Sequence, residues 1–239
     1  MTAKTRSCFK APDQVVVVRV PQDHLNFAHA CECIAQGVKK GYSVQVFLHG
    51  PAVGAWLMDD RHGLRALADE PQVRVGVCQA AWQRLVRDQG VTDNPPYPVM
   101  SLIAIWDAMG QATAVSCFGW GQWPDHEPSA AAEDPRSNRE SEGQGAQTYG
   151  VMIAYGPSSA DRDSLLEWVL AGATLDLDLV VAFAGDGASE LKDEPAKRWA
   201  QVKDHGLAKV VTESIIAQDN QTTRADAHIP LSGRKWLVM

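Results

Sequence analysis

The sequence predicts an α/β protein of two tandem small modules, each a mostly parallel sheet flanked by helices. Three observations predict it. Short β-branched runs alternate with segments of helical periodicity along most of the 239 residues. The alternation begins afresh after residue 148, so the chain carries a weak internal repeat. Between the halves lies an acidic Pro/Gly-rich stretch, residues 119–148, with no apolar periodicity after Trp123; it reads as a mobile linker. The expected division is therefore 1–118, 119–148 and 149–239. Each module, at roughly 90–115 residues, is long enough to hold a core of its own.

In the first module, VVVVRV at 15–20 is a continuous apolar run, as in a strand buried on both faces. Phe27, Cys31, Ile34, Ala35 and Val38 follow at helical spacing, and Gly41 sits where that helix would end. VQVFLH at 44–49 and VRVGVC at 73–78 read as the second and third strands. AAWQRLVRDQG then makes a helix closed by Gly90. Ser101 caps a further helix carrying Leu102, Ile105, Trp106 and Met109 on one face, and TAVSCF at 113–118 is the closing strand.

The second module repeats the scheme. YGVMIAY at 149–155 is a strand, and Ser158 or Ser159 caps a helix with Leu165, Leu166, Val169, Leu170 and Ala173. LDLVVAFAGDG at 177–187 runs from a strand into a Gly-rich turn, in which Asp186-Gly187 is read as a turn of positive φ rather than a ligand loop. AKVVTE at 208–213 and the final KWLVM are short strands. Trp82, Trp106, Trp168 and Trp199 lie in helical patterns and are expected to pack cores or an interface, while Trp120 and Trp123 can dock the start of the linker.

Composition narrows the function. An apolar fraction of 45% and a charged fraction of 21% suit a packed globule. The net charge of −7 gives no support to a broad basic nucleic-acid surface. No apolar run approaches the 18 or so residues of a membrane helix, and residues 1–12 show no secretory h-region. A cytoplasmic protein with no direct nucleic-acid or membrane partner is expected. The dinucleotide motif GxGxxG and the phosphate loop GxxxxGK[ST] are both missing, so no cofactor is expected.

Five cysteines, Cys8, Cys31, Cys33, Cys78 and Cys117, without a CxxC or zinc spacing, read as free thiols. His24 and His29 fall about 140° apart on a helix and do not make a metal pair, so no metal site is expected. Cys31 lies on an apolar helix face, Cys33 can be exposed, and Cys117 sits inside a strand. Cys78 differs. It ends the third strand directly before a helix, at the sheet edge where ligands bind in open α/β folds. A helix N-terminus there favours a thiolate. Arg74 and Arg84 are near it in sequence.

The stretches VRVGVCQAAWQRLV at 73–86, MSLIAIWDAMGQATAVSCF at 100–118 and VQVFLHGPAV at 44–53 resemble the DsrE/TusD family of sulfur-relay proteins. LDLVVAFAGDGASELK at 177–192, followed by RWAQVKDHGLAKVVTESI, resembles the companion DsrF/TusC type. The resemblance implies a flavodoxin-like topology and a persulfide carried on the cysteine after the third strand, here Cys78. The second module has no cysteine, which implies a structural or docking role for it. The partners implied are TusA-like or rhodanese-like sulfur carriers, with self-association to a dimer or trimer. Sulfur oxidation and tRNA thiolation are the two pathways that fit. Two rival expectations stand beside it. One is a non-catalytic assembly protein with Cys78 buried and inert; the other is a flavodoxin-like binder of a small ligand.

Overall fold

Continuous apolar runs need cover on both faces, and parallel strands joined through helices provide it. The computed structural model describes residues 11–57, 60–90, 94–95, 97–120, 148–154, 156, 159–212 and 235–238. In the first module β1 (Gln14–Val18), α1 (Leu25–Lys39), β2 (Val44–Leu48), α2 (Leu64–Ala68), β3 (Val73–Cys78), α3 (Gln79–Gln89), β4 (Val99–Met100), α4 (Leu102–Gln111) and β5 (Ala114–Phe118) follow in turn. A 3-10 helix, Gly50–Leu57, leaves β2. All strands pair in parallel, in the order β4-β3-β2-β1-β5.

The second module has β6 (Thr148–Ile153), α5 (Ser159–Ala173), β7 (Asp178–Phe183), a 3-10 helix (Gly185–Leu191), α6 (Asp193–Asp204), β8 (Lys209–Thr212) and β9 (Lys235–Val238). Its sheet is also parallel, in the order β8-β7-β6-β9. The α/β architecture with two parallel sheets is thus the one the alternation predicts. No described helix is long and apolar enough to cross a membrane. The tethering role expected of 119–148 falls almost wholly outside the described residues, as do Cys8, Trp123 and Ser158.

Local chemistry sets the helix ends. The Ser101 hydroxyl accepts from the Ala104 N–H and caps α4 as predicted. His24 caps α1, its Nδ1 accepting from the Asn26 N–H. Gly90 ends α3 at φ 65°, a left-handed conformation that costs glycine little. The Asp186-Gly187 expectation needs correction. Positive φ belongs to Gly185, at 48°. Gly187 is needed because a Cβ there would lie 2.0 Å from the Ile153 carbonyl oxygen.

The cores of the two modules are joined. Edge strand β5 contacts β9, and α4 packs on α5. One continuous cluster of buried apolar side chains runs from Val16, Ile34 and Phe47 through Trp106 to Tyr149, Trp168 and Phe183. At its centre the Trp106 indole N–H donates to the Trp168 carbonyl at 2.9 Å, and the two rings lie 5.4 Å apart. Gly172 lets α5 come this close, since a Cβ there would lie 2.9 Å from the Trp106 ring. Trp82, Trp106, Trp168 and Trp199 are all buried, as their helical spacing predicts. The face predicted for α5 is rotated. Leu165, Trp168 and Val169 are buried, but Leu170 is exposed.

Candidate functional site

The site is assembled by strand register. Leu48 of β2 pairs with Val77 of β3, and Val18 of β1 pairs with Leu48. The residues that follow, Arg19, His49 and Cys78, therefore stand side by side at the carboxyl edge of the first sheet. The ladder still runs at this level: the His49 N–H donates to the Val18 carbonyl, and the Arg19 N–H to the Phe118 carbonyl, both at 2.9 Å. Residues in register on neighbouring parallel strands face the same side, with strands about 4.8 Å apart. Met100 of β4 completes the row beyond Cys78.

Cys78 itself is the N-cap residue of α3, extended at φ −61° and ψ 123°. It is only 1% exposed. Burial is the largest influence on its thiol and raises it above the ordinary thiol value. The backbone N–H groups of Ala81 and Ala80, in the first turn of α3, and the Arg84 guanidinium work against that rise; Glu167 adds to it. At rest the sulfur is therefore a protonated thiol, set among groups that favour its anion.

His49 and Arg19 are fully buried. Arg19 Nε donates to His49 Nδ1 at 3.0 Å. An arginine can only donate, so Nδ1 carries the lone pair and the proton of the neutral ring sits on Nε2. Burial first, then Arg19 and Arg84, hold the imidazole well below its usual pKa. His49 is thus a fixed, neutral hydrogen-bond donor. Its one basic nitrogen is already used by Arg19, so it does not serve Cys78 as a base.

The second module supplies the rest of the wall, all from α5. The Ser164 hydroxyl lies 3.3 Å from His49 Nε2 and 3.4 Å from Nδ1. The Trp168 ring meets the His49 ring edge-on, with centroids 5.2 Å apart. Arg84 of α3 reaches across the module boundary, its Nη1 donating to the two Glu167 oxygens at 2.9 and 3.1 Å.

Among the other cysteines, Cys31 is buried in α1 and burial pushes its thiol up to about 12. Cys33 is half-buried and accepts from Gln14 Nε2 at 3.1 Å, and Cys117 lies half-buried in β5. Arg74 is exposed near the amino end of β3, away from the cysteine, whereas Arg84 belongs to the site. Sequence reasoning placed Cys78 but passed over Arg19, His49 and Ser164. A signal for two of them was available: Arg19 and His49, like Cys78, are the first reactive side chains at the carboxyl ends of long apolar runs. Among the described residues no cluster of histidine, cysteine and carboxylate side chains could hold a metal ion.

Chemically, the edge can hold an anion on one sulfur. It offers the sulfur two helix N–H groups and the Arg84 guanidinium, against the carboxylate of Glu167. Compared with protein-family models and with curated protein sequences, the chain matches none.

Proposed function

We propose that the chain is a sulfur carrier of the DsrE/DsrF sulfur-relay type, which holds a persulfide on Cys78 and passes it between partner sulfurtransferases. The observation that carries the reading is the seat of Cys78: the N-cap of α3 at the carboxyl edge of a parallel sheet, with two helix N–H groups and Arg84 favouring an anion on its sulfur. The Cys78 thiolate attacks the terminal sulfur of a donor persulfide. A new S–S bond forms at Cys78, the donor's S–S bond breaks, and the donor sulfur leaves as a thiolate. An acceptor thiolate then attacks the terminal sulfur in turn and frees the Cys78 thiolate, so no external oxidant or reductant is consumed. TusA-like or rhodanese-like carriers, a cytoplasmic setting and self-association belong to the same proposal.

One observation favours the assembly reading instead. Cys78 is 1% exposed and burial outweighs the groups that favour its anion. An inert buried thiol and a carrier differ in what a donor does. Incubation with a small persulfide donor, followed by intact-mass spectrometry, gives the carrier a reductant-sensitive gain of about 32 Da, one sulfur atom on the Cys78 thiol. The Cys78→Ser variant gains nothing. No gain on the wild type, with the donor proven active on a control thiol, supports assembly.

A further inference from the structure

We propose that Glu167 and Arg84 are positioning residues for the chemistry of Cys78, so that the cysteine-free second module sets the reactivity of the thiol in the first. The inference rests on the reading of Cys78 as the reactive sulfur. It gives the second module a role in that chemistry beyond docking.

Three observations carry it. The ion pair joins α3, which begins at Cys78, to α5 of the other module. Its side chains are 28% and 40% exposed, so the pair sits at the rim of a site whose inner members, Cys78, His49 and Arg19, are closed off. Arg84 Nη1 serves Glu167, while Nη2 is buried and makes no hydrogen bond among the described residues. The guanidinium thus keeps a donor for an anion while its position is fixed from the other module.

Among the described residues two charges act on the sulfur, Arg84 of α3 and Glu167 of α5; of its neighbours in the row, His49 beside β2 is neutral and Met100 of β4 is uncharged. Arg84 favours the thiolate and Glu167 opposes it. The two partners of one ion pair therefore pull the same sulfur in opposite directions. Were the pair only a clamp between the modules, losing either member would loosen the joint and speed reaction at Cys78 alike.

That contrast is the test. Alkylation of Cys78 by iodoacetamide is followed from pH 6 to 10 by peptide-mapped mass spectrometry of the folded full chain, with Cys31 as an internal reference for loosening of the fold. Glu167→Gln is expected to move the midpoint down and raise the rate at neutral pH by about threefold or more, equivalent to half a pKa unit. Arg84→Gln is expected to move the midpoint up and slow the reaction, and Arg84→Lys to stay near the wild type. Both glutamine variants changing the rate in the same direction, or neither changing it, would overturn the proposal. So would acceleration of Cys31 in step with Cys78. The readout involves no sulfur donor, so these results stand apart from the outcome of persulfide loading.

Discussion

The two sheets present very different carboxyl edges. In the first, Arg19, His49 and Cys78 stand in register at the ends of three strands. In the second, the matching residues are Ala154 and Ala184, since Ile153 pairs with Phe183. There the chain folds so tightly over the edge that Gly187 meets the Ile153 carbonyl. Among the described residues the buried carboxylate there, Glu190, is occupied: Arg162 Nε donates to both of its oxygens, and the Trp199 indole lies 3.5 Å away. The same architecture thus brings Arg19, His49 and Cys78 to one edge and, among the described residues, two alanines and a close backbone contact to the other. The second module meets the first edge through its helix α5, whose Ser164 and Trp168 pack on His49 and whose Glu167 pairs with Arg84.

The largest expected effect falls on the joint between the modules. Trp106→Ala removes a 1%-exposed side chain and its hydrogen bond to the Trp168 carbonyl, at a cost of about 3–5 kcal/mol. Chemical denaturation should show the loss. If the two edges are independent, the rate of Cys78 alkylation in the folded variant will not change; if α5 walls the site, it will rise.

Next comes the second edge. Gly187→Ala sets a methyl group against a backbone carbonyl that cannot retreat, with an expected cost near the upper end of overpacking, about 3 kcal/mol. Thermal unfolding would measure it. A neutral result would mean that the second edge has room, and that the contrast between the edges is overstated.

Smaller effects follow from pH. His49 is neutral in the fold and basic when unfolded, so its folded pKa is the lower one. Its contribution to stability is full above about pH 6.5 and is lost as pH falls toward the folded value. Urea unfolding between pH 7 and 5 should show this slope, and His49→Gln should flatten it. The cysteines act at the other end. The Cys31 thiol is raised to about 12, so its contribution is full below the unfolded value of about 8.5 and declines as pH rises from there. Cys31→Ala should reduce the alkaline loss. The smallest effect is expected at the exposed Lys197–Glu194 pair of α6, where Glu194→Ala should shift stability by less than about 0.5 kcal/mol.

Much of the fold could be read from the chain because its strands are buried on both faces and so appear as unbroken apolar runs. β1, β2, β3 and β7 announce themselves this way. β4 has only two residues, Val99 and Met100, and α2 only five, too short for any periodicity to register. In α5 apolar residues occur on several sides, and tertiary packing selects Trp168 over Leu170. Cys78 was legible as a position because the end of a strand and the start of a helix are local facts. The pairing of Arg84 with Glu167 nearby was not, because Glu167 comes from α5, some 90 residues further along the chain than Cys78. The partnership of Arg19 with His49 was hidden for the same reason: it is made by register between strands, and no spacing in the sequence encodes it.

The central claim is that Cys78 is a working sulfur site and that its burial is a resting state. Intact-mass spectrometry after incubation with a persulfide donor, on wild type and Cys78→Ser side by side, tests it most directly. The account predicts a reductant-sensitive gain of about 32 Da, one sulfur atom, on the wild type alone. A wild type that gains nothing, or a variant that gains as much as the wild type, would contradict it.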